Sequence, residues 1–133
     1  MIEIKFRGKS IDTNEWIYGG IFNYSNHYGF TVDKWFITDN EGDNDEVQRG
    51  TVGQYTGLKD KNDVEIYEGD IVKISDFAGN YCIGKVEYFT DTCCYRIVGD
   101  LFNYALALSQ EDIEVIGNIY DNPELMEGNK NEK

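Results

Sequence analysis

No apolar run in this 133-residue chain is long enough to cross a membrane. The longest spans Tyr104 to Leu108, against about twenty residues for a spanning helix. The first nine residues, MIEIKFRGK, hold no apolar core of the kind a secretory signal needs. The reading is a cytoplasmic chain with no membrane contact. Histidine occurs once, as His27 in the loop Asn23 to Tyr28. Nucleophilic catalysis needs a base within hydrogen-bond reach of its nucleophile, and no G-x-S-x-G context supplies one. Phosphate-cradling loops are missing too: Tyr18-Gly19-Gly20 reads as part of a strand, and such cradles open a helix.

Cysteine is scarce and oddly spaced. The three are Cys82, Cys93 and Cys94, which is not a disulfide framework. In a reducing compartment they should be thiols. Structural zinc wants four ligands at repeating spacing, and neighbours on a strand face opposite sides. Basic residues are the fourth shortage: 12 Lys and Arg stand against 25 Asp and Glu, a formal net charge of −13. A nucleic-acid binder needs cations to neutralise phosphates, and an anionic membrane repels such a chain. Direct nucleic-acid binding is therefore disfavoured.

What is present is β structure. Aromatics make up 14%, including ten tyrosines, and favour strands. Hydrophobic content of 41% supports a folded core. Ile2, Ile4 and Phe6 alternate with Glu3, Lys5 and Arg7, the pattern of a strand with one face buried, turned by Gly8-Lys9-Ser10, with Asp12-Thr13-Asn14-Glu15 as a second polar turn. Trp16 to Phe22 is a second strand, with Trp16, Tyr18 and Phe22 on one face and Ile17 and Ile21 on the other. Tyr28 to Val32 and Lys34 to Thr38 are a third and a fourth. Asp39 to Glu46 is a polar acidic loop.

Further strands are expected at Val64–Tyr67, Ile71–Ser75, Tyr81–Phe89, Cys94–Val98, Tyr104–Leu108 and Ile113–Tyr120. Gly84 and Gly99 read as bend or bulge points. Ser109 to Asp112 could form one helical turn. Asn122-Pro123-Glu124-Leu125 starts a short helix: Asn caps, proline suits the first position, and Glu faces the positive dipole end. The last residues read as a disordered tail.

The stretch Thr51 to Ile74 organises the chain. Asp60-Lys61-Asn62-Asp63 is a turn, because Asp and Asn bond their own backbone and tolerate the left-handed region. Glu68-Gly69-Asp70 is a second tight turn, with Gly69 free to take positive φ. A turn with Gly-Asp followed by a β-branched strand commonly opens small bent barrels.

This stretch closely resembles the central block of the YopX family of phage and prophage proteins. Ile4-Lys5-Phe6-Arg7-Gly8-Lys9, Trp16-Ile17-Tyr18-Gly19 and the closing run Val115 to Leu125 resemble the family's other blocks, in the same order. Asp63 departs from the pattern, where the family usually has glycine. The resemblance implies a phage origin, hence a bacterial host, and an SH3-type barrel in the back part. It implies no catalytic residues.

Three sites can be weighed. Asp39, Glu41, Asp43 and Asp45 alternate like an EF-hand loop, but position six is Asn44 rather than Gly and position twelve is Gly50 rather than Glu. The 25 acids permit many carboxylate pairs, so an enzyme site cannot be picked out from them. Asp63, Glu65, Glu68 and Asp70 cluster around the most distinctive turn and form the candidate interaction surface. Such a line of acids could mimic nucleic-acid charge, or merely guard a strand edge.

The expected architecture is mainly β: an N-terminal β unit at 1–50, an SH3-like barrel at 51–127 and a tail at 128–133. The expected role is a non-enzymatic module binding a host or phage protein through an aromatic, acid-rimmed β surface, without cofactor or metal, with a homo-oligomer left open. The alternatives are an acidic mimic acting on a DNA-binding host protein, a carboxylate-site enzyme, or an SH3-like nucleic-acid binder.

Overall fold

Alternation of apolar and polar side chains dictates most of the architecture, because a strand with one buried face needs a period of two. The computed structural model describes residues 3–25, 33–75, 79–99, 102–106 and 113–128. Its strands are β1 (Phe6–Lys9), β2 (Trp16–Ser25), β3 (Asp33–Thr38), β4 (Asn44–Val47), β5 (Gly53–Lys59), β6 (Glu65–Tyr67), β7 (Asp70–Ser75), β8 (Tyr81–Phe89), β9 (Cys94–Val98), β10 (Asn103–Ala105) and β11 (Ile113–Asn118). A 3₁₀ turn covers Arg49–Thr51, and one short helix, α1, covers Glu124–Gly128. The protein is mainly β, with two antiparallel sheets.

The chain divides into two compact units, the first ending at Tyr55 and the second beginning at Thr56. The division falls inside β5. In the first unit the strands run in the order β4-β3-β2-β1-β5, with Phe6 opposite Gln54 and Arg7 opposite Gly53. Ile37 and Val47 are its buried aliphatic residues. Thr51 ties the 3₁₀ turn to β1: its hydroxyl accepts from the Lys9 amide at 2.9 Å and donates to the Gln48 carbonyl at 2.6 Å.

Two expectations for this unit need correction. The first strand is not Ile2–Arg7 turned at Gly8: β1 runs on through Gly8 and Lys9, and Ser10 still bridges Val47. Gly8 allows this by lying flat, since a Cβ there would stand 3.1 Å from Val47 and 3.3 Å from Ile37. The turn comes later, where the Ser10 hydroxyl accepts from the amides of Asp12 and Thr13. The acidic loop is also shorter than Asp39–Glu46. The Asp39 carboxylate closes it by accepting from the amides of Glu41 and Asp43, each at 3.0 Å, and Asn44–Val47 is a strand paired with β3.

In the second unit β5 continues as the neighbour of β6. The other sheet runs β10-β9-β8-β7-β11. It is open: among the described residues its edge strands β10 and β11 do not pair with each other. Ile66, Val72, Val86, Ile97, Leu106 and Ile113 form one buried cluster, and Leu58, Ile74, Tyr95, Phe102 and Val115 pack against it. Gly84 and Gly99 are not bulges. Gly84 pairs in regular register with Val72, and the register shift falls between Val115 and Gly117 instead. Both glycines make room for one ring: a Cβ would meet Phe102 at 3.0 Å from Gly84 and at 2.0 Å from Gly99.

The Asn122 amide hydrogen-bonds the Asn118 carbonyl at 2.8 Å, just before α1. The Asn122 side chain accepts from the Asn118 amide at 3.2 Å, so it fastens the end of β11 instead of capping the helix. The expected strand Tyr28–Val32, the helical turn Ser109–Asp112, residues 107–108, His27 and the tail from 129 lie outside the described residues. No helix of the described residues is long and apolar enough to cross a membrane.

Candidate functional site

The central turn is built from its carboxylates. Asp60 is buried; one of its oxygens accepts from the amides of Asn62 and Val64 at 2.8 and 2.9 Å. The other accepts from the Val115 amide at 2.8 Å. One side chain thus closes the turn and clamps it to β11. Asp63 sits at φ 67°, the left-handed region that favours glycine. That accounts for glycine in the family pattern here and for Asp as a tolerated replacement. Gly69 takes φ 93° as the second turn requires.

The four acids of the expected interaction surface are not equivalent. Asp63 is exposed and pairs with Lys59 at 3.7 Å. Glu65 is half-buried and accepts from the Tyr67 hydroxyl at 3.0 Å. Glu68 is half-buried and its charge reaches Tyr95. Asp70 is 2% exposed, and its carboxylate accepts from the Tyr67 amide at 2.7 Å. Asp70 therefore offers no charge to a partner, and the four do not form an exposed line.

A separate aromatic surface lies on β2 and β3. Trp16, Tyr18, Phe22 and Tyr24 alternate along β2, and their common face is the polar one by design of the strand, since Ile37 packs on the other. Tyr18 is 45%, Phe22 42% and Tyr24 56% exposed. Phe22 stands opposite Phe36 on β3, and the rings stack with centroids 5.2 Å apart and planes 11° from parallel. Glu46 is opposite Phe36, and Lys34 is opposite Tyr24. At the near end of β2, Arg7 lies over the Trp16 ring at 4.6 Å and Lys9 at 5.4 Å. A cavity of about 460 Å³ opens beside Tyr18, between the Glu3–Lys5 segment and Thr38–Asn40. The signal was present in the alternation, but burial cannot be assigned to a face before its partner strands are known.

The second unit carries a smaller aromatic group. Tyr88 and Tyr95 face each other in register and meet edge-to-face at 5.0 Å. Burial pushes the Tyr95 phenol up to about 12, helped by the negative charge of Glu68 and by Tyr88. The three cysteines are free thiols. Cys82 is the second residue of the strand that Phe89 ends, and Phe89 is the partner of Cys94. Seven residues of strand, roughly 23 Å, separate Cys82 from that pair. No group of three or more His, Cys, Asp or Glu side chains among the described residues could hold a metal ion.

A family model described as YopX protein matches residues 5–127. Among the solved structures, the chain is similar to protein EF1440 from Enterococcus faecalis, at 25% identity and a TM-score of 0.54. The likeness covers 95% of this chain and 99% of that one. No curated protein matches.

Proposed function

The chain belongs to the YopX family, and we propose that within it this protein is a non-enzymatic module that binds a protein partner through the aromatic face of β2 and β3. One observation carries the reading: Tyr18, Phe22 and Tyr24 stand more than two-fifths exposed on one face of one strand. Contiguous exposed apolar surface is a liability unless something covers it. Aromatics are the residues that interfaces concentrate at their centres. Phage or prophage origin, and action in a bacterial cytoplasm, belong to this proposal and rest on the family resemblance.

We further propose that the second unit is an SH3-like barrel left open at one seam. The strand order β11-β7-β8-β9-β10 supports it: a four-strand meander, β7 to β10, with a fifth strand, β11, returning to lie beside β7.

The test is retention of a partner by the full chain. A partner taken from host lysate should be lost when Phe22→Ala and Tyr24→Ala are combined, with the thermal midpoint nearly unchanged. Retention by that double variant removes the face from consideration. A salt-dependent shift of labelled DNA or RNA would favour the nucleic-acid alternative instead.

A further inference from the structure

The two units repeat one strand order, β4-β3-β2-β1-β5 in the first and β10-β9-β8-β7-β11 in the second. Their registers match residue by residue. Ile37 stands opposite Ile21 and Ile97 opposite Val86, and both Ile37 and Ile97 are fully buried. Two residues before Ile21 and Val86 come Gly19 and Gly84. Both are required, because a Cβ on either would collide with a carbonyl oxygen, that of Thr38 or of Val98. Each unit also lays a cation from one strand over a ring on the next, Arg7 over Trp16 and Lys73 over Tyr81, both at 4.6 Å.

The match ends at the following residue. Gly20, opposite Thr38, corresponds to Lys85, opposite Val98. Lys85 is also paired with Ile71 of β7. In the first unit the β1–β2 pairing ends at Phe6 and Gly19. The cavity of about 460 Å³ opens there, lined by the Glu3–Lys5 segment and by Gly20. Gly20 takes no positive φ, and nothing lies within 4 Å of where its Cβ would be. Neither backbone nor neighbours demand glycine at this place. Glycine weakens a strand interior, and where packing does not require it, it marks the close approach of something else.

We propose that this cavity receives a lysine or arginine side chain of the protein partner, an inference that rests on the β2–β3 face being an interface. Gly20 is the gap in the row of that face, between Tyr18 and Phe22. The aliphatic stem of a basic side chain has two apolar walls to lie on, Tyr18 and Ile4, and Ile4 is 72% exposed. The cationic head has the Tyr18 ring and the Asp39 carboxylate. One Asp39 oxygen is engaged by the amides of Glu41 and Asp43. The other accepts no hydrogen bond, and the carboxylate makes no ion pair, among the described residues. Lys5 does not oppose a cation here, since its ammonium lies 3.4 Å from Glu3 and over the Tyr55 ring. Asp39 is thus the unmatched charge of the lining. In the second unit the corresponding register position holds the chain's own lysine, with Lys85 paired to Glu87 at 2.8 Å.

The experiment titrates the full, isotope-labelled chain with N-acetyl-lysine methylamide at constant ionic strength and follows the backbone amide shifts. The norleucine analogue keeps the stem and lacks the charge. The lysine compound should saturate and move the amides of Gly19, Gly20, Thr38 and Asp39. The norleucine compound should bind about fivefold more weakly, the combined scale of an exposed cation–π contact and an exposed ion pair. Asp39→Asn keeps an oxygen for the loop amides and should weaken the lysine compound about threefold. Gly20→Lys installs the residue of the second unit and should abolish binding. Gly20→Ala should leave the thermal midpoint at or above the parent's, because no neighbour resists a Cβ. The proposal is overturned if the norleucine compound binds equally well, if the shifts ignore Gly20→Lys and Asp39→Asn, or if no shift saturates. A lower midpoint for Gly20→Ala also overturns it, since the glycine would then be structural. The interface itself is read separately: if the titration fails while Phe22→Ala with Tyr24→Ala still releases the partner, the face stands and the cavity takes no cation from it.

Discussion

The two compact units differ most in how many aliphatic side chains they bury. The second gathers six aliphatic side chains into one buried cluster and packs Tyr95 and Phe102 against it. The first has only Ile37 and Val47 as buried aliphatics, leaves Tyr18, Phe22 and Tyr24 in solvent, and dresses the Trp16 ring with Arg7 and Lys9. Each unit both buries and exposes aromatic rings: Tyr55 is buried in the first and Tyr67 in the second, while Tyr81, Tyr88, Tyr104 and Tyr120 of the second are exposed like Tyr18 and Phe22 of the first. Aromatic content alone says that a chain is β-rich; it does not say which rings are inside.

The contrast is broken most directly by truncating one residue on each side. Ile97→Ala in the second unit removes a fully buried side chain and should cost about 2–5 kcal/mol. Phe22→Ala in the first removes a larger ring but should cost about 1 kcal/mol, the worth of an exposed stacked pair. Denaturant midpoints of the two variants check this. Similar losses would mean that the Phe22–Phe36 face is a true core.

Legibility in the sequence tracks the same division. β8 and β9 were expected at Tyr81–Phe89 and Cys94–Val98, and they stand there, because alternation around a dense core leaves little freedom of register. β4 reads as loop in the sequence. Its sequence is Asn44-Asp45-Glu46-Val47, and only Val47 is buried. Such an edge strand is defined by its partner's hydrogen bonds, and charged edges resist pairing with other chains. The turn residues were legible in type: Gly69 takes the positive φ assigned to it. Their carboxylates were not, because a buried Asp70 and an exposed Asp63 look alike in one dimension. The aromatic face of β2 was visible as alternation, and its exposure was not.

A second break targets the polar scaffolding of the second unit. The Asp60 carboxylate accepts three backbone amides, from Asn62, Val64 and Val115. Asp60→Ala leaves those amides without their acceptor and should cost about 2–3 kcal/mol. Asp60→Asn keeps one carbonyl acceptor and should recover about half. Thermal midpoints of the pair check it. If both variants match the parent, the clamp between the turn and β11 contributes nothing, and the apolar cluster alone holds this unit.

The smallest effect separates two turn residues that the backbone treats alike. Asp63 and Cys93 both sit in the left-handed region, at φ 67° and 52°. A side chain there costs about 1–2 kcal/mol, and glycine removes the strain while adding about 0.5–1 kcal/mol of unfolded-state entropy. Asp offsets part of its strain, since short polar side chains bond locally in this region. Cys93 has only a long contact, its thiol donating to the Thr90 carbonyl at 3.5 Å. Cys93→Gly should therefore stabilise by about 0.5–1 kcal/mol, while Asp63→Gly should fall within about 0.5 kcal/mol of the parent, after allowing for the exposed Lys59 pair. Chemical denaturation of both variants reads the difference. Equal gains would show that Asp63 receives no local relief and that glycine at this turn is favoured for the backbone alone. A loss at Cys93 would show that its bond to the Thr90 carbonyl outweighs the strain, which would make the exposed thiol part of what holds the hairpin closed.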